Sequence, residues 1–259
     1  MTDVLSNYSK TPETFLGTTR DVYRRGTGPC VIVISEIPGI TPKVIAFADE
    51  VVAAGFSVAM PRLFGKPGKE ISAGYVLQSM AFACVSKEFY VFAAGKTSPA
   101  TAWLRQLANA EHQRCGGPGV GVVGMCLTGG FALAMMVDPI VLAPVLSQPS
   151  LPAPLPGLKR NPGDLGISAD DLAKVKARCA AEDDLCLLGL RFTGDPMVKA
   201  DRFARLRAEL GDSFVGVELD SSPGNAGGHP KNAHSVLTEH RVQSAVDQVL
   251  DLFRTKLAS

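Results

Sequence analysis

Short apolar segments rich in valine and isoleucine alternate along this chain with segments whose apolar residues recur at helical spacing. Short apolar runs of this kind are typical of strands buried on both faces, as in a parallel sheet covered by helices. The alternation therefore predicts an α/β fold with a mostly parallel central sheet and helices on both faces. We predict strands at residues 31–35, 56–60, 120–125, 140–146, 185–192 and 214–219. We predict helices at residues 42–54, 100–112, 129–137, 169–181 and 199–210, followed by a last helix near the C-terminus.

Two segments depart from this alternation. Residues 18–25 alternate enough to predict an additional, antiparallel strand at the edge of the sheet, joined to the first parallel strand by a glycine-containing turn. Residues 147–166 are rich in proline, which disrupts regular structure, and they predict a loop or cap. No repeat or shift in composition marks a second domain, so we expect residues 1–259 to form one domain.

The overall composition excludes several classes of function. The chain has 26 Lys and Arg residues against 25 Asp and Glu residues and a formal net charge of +1. No basic stripe is present, which argues against a nucleic-acid partner. No apolar stretch approaches the roughly 20 residues that a bilayer crossing requires, and the first residues lack the pattern of a signal peptide. We therefore predict a cytoplasmic protein without a membrane partner, whose oligomeric state the sequence leaves open.

The six cysteines are scattered without CxxC pairs. They are Cys30, Cys84, Cys115, Cys126, Cys179 and Cys186. This spacing argues against disulfides and against a zinc site, and no pattern predicts a cofactor or another metal. Free cysteine usually packs as a small hydrophobic residue, so we expect most of the six to be unreactive.

Cys126 differs from the other cysteines in its local sequence. It follows the apolar run 120–125 and precedes a helical pattern, with Gly124, Gly129 and Gly130 around it. A nucleophile elbow needs small residues at such a tight strand-to-helix turn, because the backbone is strained and the apex side chain must stand above the sheet. The positive end of the following helix also favours a thiolate. The segment therefore predicts a cysteine nucleophile.

The same segment contains a literal GxGxxG pattern, formed by Gly119, Gly121 and Gly124. In a dinucleotide-binding fold the strand precedes these glycines, whereas here the β-branched strand residues lie between them. We therefore interpret the match as coincidental.

An elbow nucleophile requires a carboxylate after a later strand and a histidine after the strand that follows it. Asp195 lies in a turn after the strand at 185–192, and is the predicted acid. His229 and His234 both follow the strand at 214–219, and spacing alone does not separate them. The two histidines and His240 lack the spacing of metal ligands, so a metal site is the weaker interpretation.

These segments resemble the dienelactone hydrolase family, a cysteine branch of the α/β-hydrolases. The resemblance rests on Ser35-Glu-Ile-Pro-Gly-Ile after the first parallel strand, Gly124-Met-Cys-Leu at the elbow and His234-Ser-Val near the C-terminus. With the turn at Asp195, these motifs span roughly residues 30–237.

The resemblance implies a Cys126, His234 and Asp195 triad that hydrolyses a small carboxylic ester or lactone. It also implies that Glu36 pairs with the resting thiol. Substrate binding then turns the sulfur towards His234, and the thiolate attacks the carbonyl carbon. The backbone N–H groups of Ile37 and Leu127 are the implied oxyanion hole.

The sequence departs from the family pattern at two places. Thr128 stands where the elbow usually has a glycine, and Val236, Leu237 and Thr238 stand where an arginine would hold a substrate carboxylate. The missing arginine argues against dienelactone itself as the substrate. The proline-rich segment at 147–166 is longer than a compact member of the family needs, which favours a different cover over the site and a more apolar ester. Two other functions stay open: an inactive homologue that only binds, and, less favoured, a redox sensor at Cys126.

Overall fold

The computed structural model describes residues 4–85, 97–151 and 161–258. These residues include an eight-stranded sheet with the order β1-β2-β4-β3-β5-β6-β7-β8. Its strands are β1 (Ser9–Phe15), β2 (Thr18–Arg25), β3 (Cys30–Ile34), β4 (Ser57–Pro61), β5 (Val120–Met125), β6 (Val141–Ser147), β7 (Leu187–Phe192) and β8 (Phe214–Leu219). The β1–β2 and β2–β4 pairs are antiparallel, and the other neighbouring strands are parallel. The sheet confirms the predicted fold class.

Seven α-helices occur within the described parts of the chain. They are α1 (Pro42–Ala53), α2 (Ala73–Val85), α3 (Pro99–Cys115), α4 (Gly129–Met135), α5 (Ala169–Ala181), α6 (Ala200–Leu210) and α7 (Gln243–Leu257). Helices α1 and α7 contribute to the core on one face of the sheet, and α3 to α6 contribute to the core on the other. Every predicted strand and helix is present, and each end lies within three residues of its predicted position.

The central strands are apolar at nearly every position because both of their faces are covered. All residues of β3, β4, β5 and β7 are buried. Alternate side chains enter opposite cores: Val31 and Val33 pack with α1 and α7, whereas Ile32 and Ile34 pack with α3 and α4. Burying one such side chain contributes about 1.5–3 kcal/mol. The resulting rigid sheet fixes the positions of the loops at its carboxyl edge.

The edge of the sheet differs from the prediction. Strand β2 is antiparallel, as predicted, but β1 pairs along its outer side and forms the edge instead. Strand β1 carries exposed polar residues and a proline at position 12, so it shows no apolar run. Edge strands commonly carry such residues, which discourage further pairing.

Helix α2 was not predicted from the sequence. Its residues are apolar on most sides, so no apolar stripe distinguishes a helix from another buried segment. Of the predicted proline-rich excursion at 147–166, residues 152–160 lie outside the described residues. Gly121 and Gly124 lie within β5 itself, which agrees with a coincidental GxGxxG match. No helix in the described ranges is long and apolar enough to cross a bilayer.

Candidate active site

Cys126 lies at the apex of a tight turn between β5 and α4. Its φ is +54°, in the left-handed region, which costs a non-glycine residue about 1–3 kcal/mol. A Cβ at position 124 would lie 2.3 Å from the carbonyl oxygen of Thr128, and a Cβ at position 129 would lie 2.7 Å from Cβ of Pro149. Glycine is therefore required at both positions. This geometry is that of a nucleophile elbow.

The side chain of Thr128 stabilises the elbow through hydrogen bonds and does not distort the turn. Its Oγ1 accepts a hydrogen bond from the Met125 N–H at 2.8 Å and lies 2.9 Å from the carbonyl oxygen of Ile34. The side chain is fully buried between β5 and β3. The β-branched residue at this position thus links the turn to the neighbouring strand.

The thiol of Cys126 has a partner that the sequence did not suggest. The side chain is only 8% exposed, and its Sγ lies 3.0 Å from Oγ of Ser150. The Ser150 N–H also donates to the carbonyl oxygen of Cys126 at 2.9 Å. Arg202 in α6 donates to the carbonyl oxygen of Pro149, the residue before Ser150, and so fixes the position of Pro149. The loop after β6 therefore holds the thiol in its present orientation.

Asp195 and His234 form a buried pair at the same edge of the sheet. Nδ1 of His234 lies 2.7 Å from Oδ2 of Asp195. The other carboxylate oxygen of Asp195 accepts the N–H groups of Met197 and Val198 at 2.8 and 3.3 Å. These backbone contacts fix the carboxylate, which in turn fixes the orientation of the imidazole.

The electrostatic setting of His234 favours its protonated form. Burial is the largest single influence and opposes the charge, but the hydrogen bond with Asp195 and the nearby Cys126 raise the pKa of His234 to about 10. Its Nε2 is buried and has no hydrogen-bond partner among the described residues. His234 thus presents one fixed nitrogen and one nitrogen that is available to a reacting group.

The structure distinguishes between the two candidate histidines. The ring of His229 packs against that of Phe192 at a tilt of 57°, with centroids 4.9 Å apart, and its backbone is hydrogen-bonded to the Asn225 side chain. The contact with Asp195 is made by His234. His240 accepts the His234 N–H on its Nδ1 at 3.3 Å, so it supports the backbone of the histidine loop.

Glu36 is buried at the end of β3, but its hydrogen bonds go to the histidine loop. Its Oε2 accepts from the Ser235 hydroxyl at 2.7 Å and from Nε2 of Gln148 at 3.2 Å, while Oε1 accepts from the Thr238 hydroxyl. In this conformation Glu36 does not pair with the thiol as expected. The thiol of Cys126 contacts the hydroxyl of Ser150 instead. The physical reason for this difference is that the Glu36 carboxylate already accepts hydrogen bonds from three side chains of the protein.

Ile37 and Leu127, the expected oxyanion donors, follow adjacent strand ends. Strands β3 and β5 are parallel, with Ile34 opposite Gly124. Each predicted donor lies three residues beyond its member of that pair, so both occur at the same edge of the sheet. Ile37 is partly buried and Leu127 is buried.

Comparison with protein families identifies the chain's relatives. The model of the dienelactone hydrolase family matches residues 13–257. The chain belongs to the dienelactone hydrolase family. Membership makes it a hydrolase of carboxylic esters or lactones, which agrees with the resemblance of its motifs.

Solved structures share the fold at low sequence identity. A putative dienelactone hydrolase from Klebsiella pneumoniae subsp. pneumoniae MGH 78578 is 15% identical, with a TM-score of 0.63, and the match covers 97% of this chain and 98% of that one. A dienelactone hydrolase-like promiscuous phosphotriesterase from metagenomic libraries is 16% identical, with a TM-score of 0.61 and coverage of 97% and 98%. No curated protein sequence gives a significant match.

The residues that stand where the family has its substrate-binding arginine serve a structural role in this chain. Val236 and Leu237 are buried in the core with α1 and α7, and Thr238 donates to Glu36. None of these three side chains offers a positive charge. The segment stabilises the histidine loop and does not provide a carboxylate-binding group.

A second cluster of possible ligands lies away from the histidines. Among the described residues, side-chain ligand atoms of Cys30, Glu111 and Cys115 all lie within 4.8 Å of one another. Sequence reasoning missed this cluster because its members come from β3 and α3, far apart in the chain. It also missed Ser150, Gln148 and Ser235, whose residue types carry no signal before the loops are placed.

Proposed function

We propose that this hydrolase cleaves its ester or lactone through a thioester on Cys126, with His234 as the base and Asp195 as the group that orients it. The observation that carries the proposal is the 2.7 Å contact between His234 Nδ1 and Asp195 Oδ2, beside an elbow cysteine at positive φ. The chain order of cysteine, aspartate and histidine is also that of an α/β-hydrolase triad.

The first half of the reaction forms the thioester. Nε2 of His234 takes the proton of the Cys126 thiol, and the thiolate attacks the carbonyl carbon of the substrate. Asp195 and the Cys126 thiolate both stabilise the imidazolium that results, and this raised pKa is the reason His234 keeps the proton once the thiol has given it up. Collapse of the tetrahedral intermediate expels the alcohol, which receives its proton from His234.

The N–H groups of Ile37 and Leu127 are the proposed donors to the negative oxygen of that intermediate. Loss of one such donor typically raises the barrier by about 3 kcal/mol. In the second half, His234 removes a proton from water, the hydroxide attacks the thioester, and the acid product leaves Cys126 as the free thiol.

Ser150 is the proposed partner of the resting thiol. Sγ of Cys126 points at Ser150 Oγ, while Nε2 of His234 is left without a partner among the described residues. The sulfur already lies near His234, and rotation about the Cα–Cβ bond of Cys126 would move it from the Ser150 hydroxyl into line with Nε2. The hydroxyl thus takes the place that the family resemblance assigns to Glu36.

The proposed substrates are uncharged, short-chain esters. Val236, Leu237 and Thr238 leave the histidine loop without an arginine to bind a substrate carboxylate. Comparing kcat/KM for short-chain aryl esters and for a carboxylated lactone tests this point. A marked preference for the lactone would contradict the substrate class while leaving the nucleophile untouched.

Replacement of the triad residues tests the mechanism. We expect Cys126→Ala and His234→Ala to lower kcat by about 10³-fold or more, because triad members act as a unit. Cys186→Ala is the matched control, since Cys186 is a half-buried cysteine outside the site. Ester hydrolysis by Cys126→Ala at the rate of the control would contradict the cysteine mechanism.

A further inference from the structure

Cys30 and Cys115 bring two thiols together at the opposite end of the sheet from the elbow. Cys30 is the first residue of β3, whereas the elbow follows the strand end that pairs with Ile34. Cys30 and Ile34 are four residues apart along β3, which corresponds to about 13 Å at 3.3 Å per residue. The two thiols are therefore not part of the ester-hydrolysing site.

The two sulfurs differ in their access to solvent. Cys30 is 1% exposed, whereas Cys115 is half-buried and lines a surface cavity of about 410 Å³. The cavity lies between the turn that joins β2 to β3, the start of β4 and the last turn of α3. A small solute can thus reach Cys115 first, while Cys30 stays behind it.

The surroundings of the pair favour a thiolate on Cys115. Hydrogen bonding from Cys30 is the largest influence on the pKa of Cys115, and with Ser57 and Arg114 it outweighs burial and Glu111, so the pKa falls to about 6. The pKa of Cys30 is raised, chiefly because it gives its hydrogen to Cys115 and because it is buried. Cys30 is therefore a proton-bearing thiol beside a reactive sulfur.

The same cluster is poorly suited to a metal cation. Oε1 of Glu111 accepts from Nε of Arg24 at 2.8 Å, and Oε2 lies 3.5 Å from Nε of Arg114. Two guanidinium groups would repel a cation bound to this carboxylate. They instead neutralise Glu111, which would otherwise oppose a thiolate nearby.

We propose that Cys115 and Cys30 form a peroxide-reactive dithiol site that closes to a disulfide, independently of the ester-hydrolysing activity. The Cys115 thiolate attacks a hydroperoxide: an S–O bond forms, the O–O bond breaks, and the alkoxide or hydroxide leaves with a proton from solvent. Cys115 is then a sulfenic acid.

The second step uses Cys30 as the resolving thiol. Its sulfur attacks the Cys115 sulfur, the S–S bond forms and the S–O bond breaks, and the Cys30 proton leaves with the hydroxide as water. Two thiols are oxidised and one peroxide is reduced. The sulfurs start within 4.8 Å and must approach to about 2.05 Å. Cys115 is the last residue of α3, so this shift breaks no helix interior.

Peptide mapping of the full-length protein after hydrogen peroxide tests the proposal. We expect one peptide pair joined through Cys30 and Cys115, two hydrogens lighter than the reduced pair and separable by a reductant. The Cys186→Ser control should give the same link. In Cys30→Ser, whose hydroxyl can still donate to Cys115 but cannot form a disulfide, Cys115 should accumulate as the sulfenic acid and be captured by dimedone.

Alkylation supplies a readout that needs no variant. At pH 7, Cys115 should react about tenfold faster than Cys179, whose pKa is raised chiefly by burial. Equal rates for these two cysteines would overturn the proposal, as would oxidation of Cys115 to the sulfinic acid without any link to Cys30. Protection of both thiols by added Zn²⁺, with no link formed by peroxide, would overturn it in favour of a metal site.

Discussion

Ser235 donates its hydroxyl hydrogen to Oε2 of Glu36 over 2.7 Å, and this bond ties the residue next to His234 to the end of β3. Thr238 and Gln148 donate to the same carboxylate. Gln148 also accepts the Val236 N–H at 3.1 Å. A buried carboxylate that accepts several hydrogen bonds is costly to disturb, because each donor loses its partner. Glu36 is therefore placed to position the histidine loop.

Glu36→Gln tests this positioning role. The amide introduces an N–H₂ donor where hydroxyl donors converge, so we expect kcat to fall about tenfold with little change in KM. The pH profile of kcat should shift, because His234 is held less firmly against Asp195. Glu70→Gln, at an exposed glutamate away from the histidine loop, is the control. An unchanged kcat and pH profile in a folded Glu36→Gln protein would refute the role.

Ser150→Ala tests the resting partner of the thiol. Removing the hydroxyl frees Cys126 to face His234, so we expect alkylation of Cys126 to become several times faster while the kcat for ester hydrolysis stays near the wild-type value. Rates come from peptide mapping at several times of reaction, with Cys115 followed in the same samples. Ser79→Ala, at a buried serine in α2, is the control. Slower alkylation of Cys126 would argue that Ser150 activates the thiol instead.

The His234–Asp195 pair makes stability depend on pH. A group whose pKa is raised by folding stabilises the folded state below its ordinary pKa and loses this effect as the pH rises through the folded-state value. For His234 that window runs from 6.5 to about 10. We expect the free energy of unfolding, measured with denaturant, to decline across this window. The decline should be smaller in Asp195→Asn, and unchanged in the exposed variant Asp247→Asn.

Gly124→Ala tests the steric requirement of the elbow. The added Cβ would lie 2.3 Å from the Thr128 carbonyl oxygen, so we expect a loss of about 2 kcal/mol or more in stability and a large loss of activity. Gly74→Ala in α2 is the control, because a Cβ there meets nothing within 4 Å. Equal stability of the two variants would show that the turn relaxes at no cost.

The sequence predicted those features that follow from strand order. Parallel strands end at one edge of a sheet, so Cys126 after β5 and Asp195 after β7 were placed correctly before any coordinates. The choice of His234 over His229 was left open by spacing, because both lie in the same loop and only one turns its ring to Asp195.

Features set by loop conformation and by long-range pairing were not predictable. Ser150 contacts the thiol only because the segment after β6 packs against the start of α4, where Pro149 lies beside Gly129. Glu36 bonds to Ser235 and Thr238, a choice that depends on side-chain directions in two loops. Cys115 looked like a packing residue because its neighbour Cys30 comes from a distant strand.

The most direct test of the account is mass spectrometry of the protein quenched during turnover of a slowly deacylated aryl ester. We predict an acyl group on the peptide that contains Cys126, released by hydroxylamine and absent from Cys126→Ala. Turnover without any adduct at Cys126, or an acyl group carried by another residue, would contradict the thioester mechanism.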